Sequence, residues 1–311
     1  MAKTGAPTKG DPRLGDMTAI GEVATPAFAL LPNPLHLFST RAERFRFLAQ
    51  GHTLAPYLLF LAALCDAQHR VQDGLPEPDL PEPEARARAR GFAMPPLDRR
   101  RFSPDPAFDA TFARFLALVE SIDMPATAAE ALVRLRSAEA PLRAELLRSV
   151  LAHEVPMEML AECSFVAAAL QVHFARIAAR LDAKTLVPVG DALCPVCGGP
   201  PAASMVVGWQ GAHGTRYCGC ALCGTLWNYV RIKCTLCGST AGISYQEVEG
   251  GPGAVKAETC SECQGYVKVL QQHQDPSVDV IADDVASLGL DLLVREAGFK
   301  RGAVNPFLLG Y

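Results

Sequence analysis

Cys194-Pro-Val-Cys197 with Cys220-Ala-Leu-Cys223, followed by Cys234-Thr-Leu-Cys237 with Cys260-Ser-Glu-Cys263, decides how this chain is read. In each half, 22 residues separate the two Cys-x-x-Cys pairs, and every cysteine of the first half has a counterpart 40 residues later. The flanks repeat too, Cys-Pro-Val-Cys-Gly with Ser204 matching Cys-Thr-Leu-Cys-Gly with Ser244. Shared spacing with shared flanks is the mark of an internal duplication. Two residues between cysteines let one tight turn aim both sulfurs at one ion, and two such turns on facing hairpins complete a tetrahedron. The candidate metal ligands are therefore Cys194, Cys197, Cys220 and Cys223 for a first site, and Cys234, Cys237, Cys260 and Cys263 for a second. Pairing in sequence keeps each repeat whole. A crossed arrangement, first pair with third and second with fourth, is the alternative.

Gly198, Gly224 and Gly238 directly follow second cysteines, where a positive φ turns backbone N–H groups toward the thiolates. The fourth turn departs from this, with Gln264 before Gly265. A unit of about 40 residues buries too little apolar surface to fold alone, whereas a structural metal contributes ~10–16 kcal/mol. Metal is thus expected to be part of the fold, each unit being a zinc ribbon or a rubredoxin-like knuckle pair. Ligand type does not separate zinc from iron, since both accept tetrahedral sulfur. Cys218 and His213 break the repeat and are left out of the ligand set, while Cys65 and Cys163 lie in apolar helical contexts and read as inert core.

Working outward, 311 residues with half of them apolar suffice for more than one domain. The fold class expected is α+β: an all-α N-terminal domain (residues 1–186), a first four-cysteine unit (187–231), a second four-cysteine unit (232–273) and a C-terminal helical segment (274–311). Thr40 with Glu43, and Thr127 with Glu130, carry capping-box spacing, and a helix is expected after Thr53 with Pro56 in its first turn. Further helices are expected over Phe108–Ser121, Thr127–Ser137, Pro141–His153 and Met157–Leu181. In the last of these His173 reads as a packing residue with no chemistry. Residues 74–106, rich in proline and arginine, read as a long connection whose arginines form a solvated face, with docking of an acidic partner as the sharper alternative. Strands are expected over Ser204–Trp209, Leu226–Lys233, Ile243–Val248 and Tyr266–Gln271, and one helix over Ser277–Gly298 with Asp283 and Asp284 on its solvated face.

A formal charge of −4 gives no cationic excess for holding a polyanion, and residues 191–273 carry five basic against five acidic side chains. Nucleic acid is not expected as a partner. Leu54–Cys65, an apolar stretch, is short of the ~20 residues that cross a bilayer, so no stable membrane insertion is expected. Met1–Thr25 lacks the pattern of an export signal, and Arg100-Arg101-Phe102, followed by Ser-Pro-Asp-Pro, lacks the apolar run of a twin-arginine signal. A cytoplasmic protein follows, whose reducing surroundings favour metal over disulfides for its eleven cysteines. There is no phosphate loop, dinucleotide fingerprint or nucleophile motif, and sites with four protein ligands keep no open position for substrate. The expected role is non-catalytic: a protein-binding module, with a rubredoxin-like electron carrier as the alternative.

LCPVCGGPPAASMV (193–206), RYCGCALCGTLWNYVRIKCTLC (216–237) and VKAETC (255–260) resemble the formate dehydrogenase accessory protein family, FdhE. The likeness continues in DPSVDVIADDVASLGLD (275–291), VNPFLL (304–309) and, less distinctively, TRAERFRFLA (40–49). The resemblance implies a cytoplasmic protein required for active respiratory formate dehydrogenase, one that contacts the catalytic subunit before export. It also implies iron at the eight cysteines named above.

Overall fold

The structure, a computed structural model, describes residues 26–308; Met1–Thr25, read above for an export signal, and the last three residues lie outside it. Helix α1 (Pro34–Leu48) starts where Asn33 accepts a hydrogen bond from the Leu35 amide and Pro34 occupies the first turn. Thr40 and Glu43 therefore fall inside α1 and do not cap it. Helix α2 (Ala55–Arg70) follows with Pro56 in its first turn and buries Leu58, Leu61, Leu64 and Cys65. Helix α3 (Pro83–Gly91) and a 3-10 turn at Arg99–Arg101 lie within the segment read as a connection. Helix α4 (Pro106–Val119) is capped by Asp105, which accepts from the Phe108 amide. Helix α5 (Ala126–Ser137) starts after Pro125 without a side-chain cap, so the Thr127–Glu130 signal is also overruled. Helix α6 (Ala140–Ala152) leads to α7 (Leu160–Ala178), against which α4, α5 and α6 all pack.

Helix α7 is buried nearly all round. Met157–Ala178 is long and apolar enough to cross a membrane, yet 78% of its most apolar window is buried among the other elements. His173 sits on it, fully buried between Phe102 and Phe108, with neither ring nitrogen hydrogen-bonded among the described residues. Cys65 and Cys163 are buried thiols that desolvation pushes up to about 12 and about 11, which keeps them protonated and unreactive.

The segment 74–106 is bound to the body along its length. Arg176 donates to the carbonyls of Leu75 and Pro76, and Arg180 to that of Pro78. Farther on, the amides of Leu97 and Arg99 bond the carbonyls of Val196 and Cys197. Arg88, Arg90, Arg100 and Arg101 stay exposed while Arg99 is buried.

The remaining strands form one sheet: β1 (Ala29–Leu30), β2 (Pro201–Val206), β3 (Arg216–Cys220), β4 (Leu226–Asn228), β5 (Ile243–Gln246), β6 (Val255–Cys260), β7 (Gly265–Gln271) and β8 (Lys300–Arg301). Its order is β1-β4-β3-β2-β7-β6-β5, with β8 on β7. The duplication is visible in three dimensions: β2-β3-β4 and β5-β6-β7 are two antiparallel meanders, fused where β2 runs parallel to β7, with Ser204 opposite Val269. Strands β3 and β6 were not anticipated from the sequence.

The C-terminal segment forms two helices, α8 (Ala282–Ala286) and α9 (Leu288–Glu296), broken at Ser287. Asp283 and Asp284 are buried, correcting their reading as a solvated face. Asp283 pairs with Arg44 of α1, and Asp284 with Lys268 of β7 and Arg301 of β8. Partners from distant elements make such burial tolerable. One large core runs without interruption from the helices into the first meander, while Ala257, Tyr266, Leu290 and Val294 form a small separate one under the second.

Candidate metal centres

Each meander brings its two Cys-x-x-Cys turns face to face. Cys194 and Cys197 lie on the turn before β2, Cys220 ends β3, and Cys223 lies on the turn to β4. Forty residues on, the same places hold Cys234, Cys237, Cys260 and Cys263. Within each group the four sulfurs all lie within 4.8 Å of one another, so the clusters form in sequence and the crossed arrangement is excluded. The sulfurs of Cys194 and Cys223 are 3.6 Å apart and those of Cys197 and Cys220 3.3 Å apart; both cross-turn distances in the second cluster are 3.8 Å. A tetrahedral ion with metal–sulfur bonds of about 2.3 Å sets sulfurs about 3.8 Å apart. The donor sets thus fit a small ion such as zinc or iron, and in both clusters four cysteines would suffice to complete its coordination.

The local backbone serves the same end. Gly198, Gly224 and Gly238 all have φ of +73°, and Gln264 takes the same left-handed conformation at +55°. A side chain at Gly224 would meet the end of the Leu37 side chain at 2.8 Å, and one at Gly238 the Asp191 carboxylate at 2.5 Å; both ends can move aside, so it is the positive φ that favours glycine there. Amide groups of Leu222 and Cys223 point at Cys220 Sγ, and that of Leu236 at Cys234 Sγ, all at 3.4 Å. Without a cation, four close sulfurs work against each other: burial pushes the Cys194 thiol well above the usual range, while hydrogen bonds from Cys194, Cys197 and Cys223 hold Cys220 well below it. A divalent ion resolves that conflict by taking all four as thiolates.

Several supporting residues escaped sequence reasoning. The Thr225 hydroxyl lies 3.2 Å from Cys223 Sγ. Arg99 borders the first cluster, because a Cβ at Gly199 would meet both its Nη1 at 3.0 Å and Cys197 Sγ at 3.5 Å. Arg216 of β3, 1% exposed, joins the two meanders by donating to Ser204 Oγ at 3.0 Å, to the Lys233 carbonyl at 3.2 Å and to Glu258 of β6 at 2.8 Å. Asp191 bridges the same gap, accepting from Lys233 at 2.6 Å and from Tyr229 at 3.1 Å. Spacing could not have found these; for Asp191 and Arg216 the one available signal was a charged residue in an otherwise apolar or glycine-rich stretch, while Thr225 and Arg99, the latter inside an arginine run, carried none. Cys218 points away from both clusters into the core, where burial pushes it up to about 12.

A helical body fused to tandem four-cysteine ribbons, each closed by its own four sulfurs, defines a metal-ribbon protein of the zinc-ribbon or rubredoxin-like class. Sequence profiles described as "FdhE, N-terminal", "FdhE, central domain" and "FdhE, C-terminal domain" match residues 26–191, 193–231 and 232–308. The chain belongs to the FdhE family, that of the formate dehydrogenase accessory proteins. A "Protein FdhE homolog" of Rhizobium meliloti (strain 1021) is 47% identical over 298 residues, covering 95% of this chain and 97% of that protein. A namesake of Edwardsiella ictaluri (strain 93-146) is 38% identical, covering 93% of each. The crystal structure of the FdhE protein from Pseudomonas aeruginosa superposes with a TM-score of 0.82 at 33% identity, covering 92% of this chain and 99% of that one.

Proposed function

We propose that this chain is a non-catalytic, cytoplasmic maturation protein that binds the catalytic subunit of a respiratory formate dehydrogenase before export. In this reading Cys194, Cys197, Cys220 and Cys223 hold one iron, and Cys234, Cys237, Cys260 and Cys263 a second, with zinc the alternative metal. The units 187–231 and 232–273 are the working domains, carried by the helical domain and backed by residues 274–311. The observation that carries the proposal is the pair of complete four-sulfur clusters in a chain of the FdhE family. Four protein ligands leave an ion no open position for substrate, so its use lies in holding shape or charge and not in activating water.

Replacing the cysteines by serine in their four pairs tests this. The expected outcome is loss of bound metal, loss of co-purification with the catalytic subunit and loss of formate dehydrogenase activity. Unchanged client binding and activity with the cysteines gone would sink it. A second reading, a rubredoxin-like electron carrier, draws support from Cys237 and Cys263, which are exposed and would bring a redox ion to the surface. It requires iron that reduces and reoxidises reversibly; zinc alone in protein purified without oxygen rules it out.

A further inference from the structure

The two clusters are matched in ligands and unlike in surroundings. All four sulfurs of the first belong to residues 0–2% exposed, and all four residues lie in the large core. In the second, Cys234 and Cys260 are buried but Cys237 and Cys263 are exposed, and none of the four belongs to either core cluster. The first is also strapped down. Pro95 packs against Gly198, the Leu97 and Arg99 amides bond the Val196 and Cys197 carbonyls, and buried Arg99 sets its guanidinium beside the sulfurs. A cavity of about 230 Å³ abuts this turn, yet it leaves Cys220 only 2% exposed. In the first cluster Cys223 Sγ donates to the Thr225 hydroxyl at 3.2 Å, whereas Gly265, forty residues on, has no side chain to hold Cys263 in the same way.

We propose that the duplicated sites have divided their roles, the first holding its ion permanently as part of the core and the second exchanging its ion with solution through the face formed by Cys237 and Cys263. This rests on the reading of both clusters as metal sites. To leave a four-thiolate site, an ion must have one sulfur protonated or displaced by an incoming ligand, and either event needs access. At the second site Cys237 and Cys263 give that access in the folded state. At the first, access requires lifting the 95–99 strap or opening the large core, a sub-global unfolding that is costly and rare. Arg99 and Thr225 act in the same direction, offsetting thiolate charge and holding a sulfur, as outer-shell partners do.

The test uses the full chain, loaded to saturation with zinc without oxygen, then challenged with excess of a chromogenic chelator. Release should occur in two phases of equal size, the fast one about 10- to 100-fold quicker, the range by which outer-shell partners alter metal binding. Iodoacetamide added after the fast phase, with peptide mapping, should find label on Cys234, Cys237, Cys260 and Cys263 while Cys194, Cys197, Cys220 and Cys223 stay protected. A single phase, or label on the first set as early as on the second, overturns the division of roles but leaves both metal sites standing. Saturation below one ion per cluster overturns the metal reading itself, and the division with it. Because the mapping uses the unaltered chain, no outcome depends on a variant folding.

Discussion

Gln264 holds φ at +55° where its three counterparts in the repeat are glycines at +73°. A side chain in the left-handed region costs about 1–2 kcal/mol, partly offset here by the bond from Gln264 Nε2 to the Ser261 carbonyl, which is exposed and therefore weak. Gln264→Gly is thus expected to raise stability by about 1 kcal/mol, read as a higher urea midpoint of the metal-loaded chain; a lower midpoint would mean that the amide bond outweighs the strain. His173 makes a second prediction at this scale. Burial lowers it from 6.5 to about 4, with Asp105 opposing the shift and Arg176 adding to it. Its folded pKa lies below its unfolded one, so between pH 6.5 and 4 the unfolded chain takes up a proton that the folded core refuses. Stability should fall across that window as pH drops, by up to about 3 kcal/mol, and be indifferent to this group above it. His173→Leu should flatten the pH dependence of the urea midpoint there, and equal slopes for the two proteins would refute the assignment.

At the scale of elements, the joint between the meanders is the ion pair of Arg216 on β3 with Glu258 on β6, both nearly fully buried. Removing one partner leaves a charge in the interior without compensation, so Arg216→Leu should cost about 3–5 kcal/mol, whereas replacing both residues by leucine should recover much of that. Chemical denaturation of the single and double variants decides it: equal losses would show that the pair does not couple. The same residues explain what the sequence concealed. The eight cysteines group as their spacing implies, because a Cys-x-x-Cys turn is set by its own few residues. Strands β3 and β6 stayed hidden because Arg216 and Glu258 are charged residues on buried strands, and their partners lie on other elements. Asp283 and Asp284 misled for the same reason, their cations coming from α1, β7 and β8. Helix α1 was readable in principle from Asn33-Pro34, a cap followed by a first-turn proline, but the Thr40–Glu43 pair competed with it and lost. The unlike surroundings of the two clusters were beyond local reading, since the strap over the first comes from residues 95–99.

For the whole molecule, the question is what makes helices and ribbons one body. The tail after β8 crosses both: Asn305 bonds the Ile281 carbonyl and Asp284, Tyr57 of α2 donates to the Phe307 carbonyl at 2.7 Å, and Ser164 of α7 reaches the Pro306 carbonyl. Phe307 and Leu308 are buried in the large core that the helices share with the first cluster. Phe307→Ala removes a ring from that junction and should cost about 3–5 kcal/mol. The loss should appear in the cooperative unfolding of helices and first ribbon together, because one core unfolds as one unit. The second ribbon, held by its own small core, should keep its strands at denaturant concentrations where the variant's helices have begun to unfold. Following helical circular dichroism and amide hydrogen exchange of the β5–β7 peptides side by side along one urea titration separates the cases. If the variant lost helix and the protection of β5–β7 in a single step, the second ribbon would depend on the tail as fully as the first does, and the two cores would have to be counted as one.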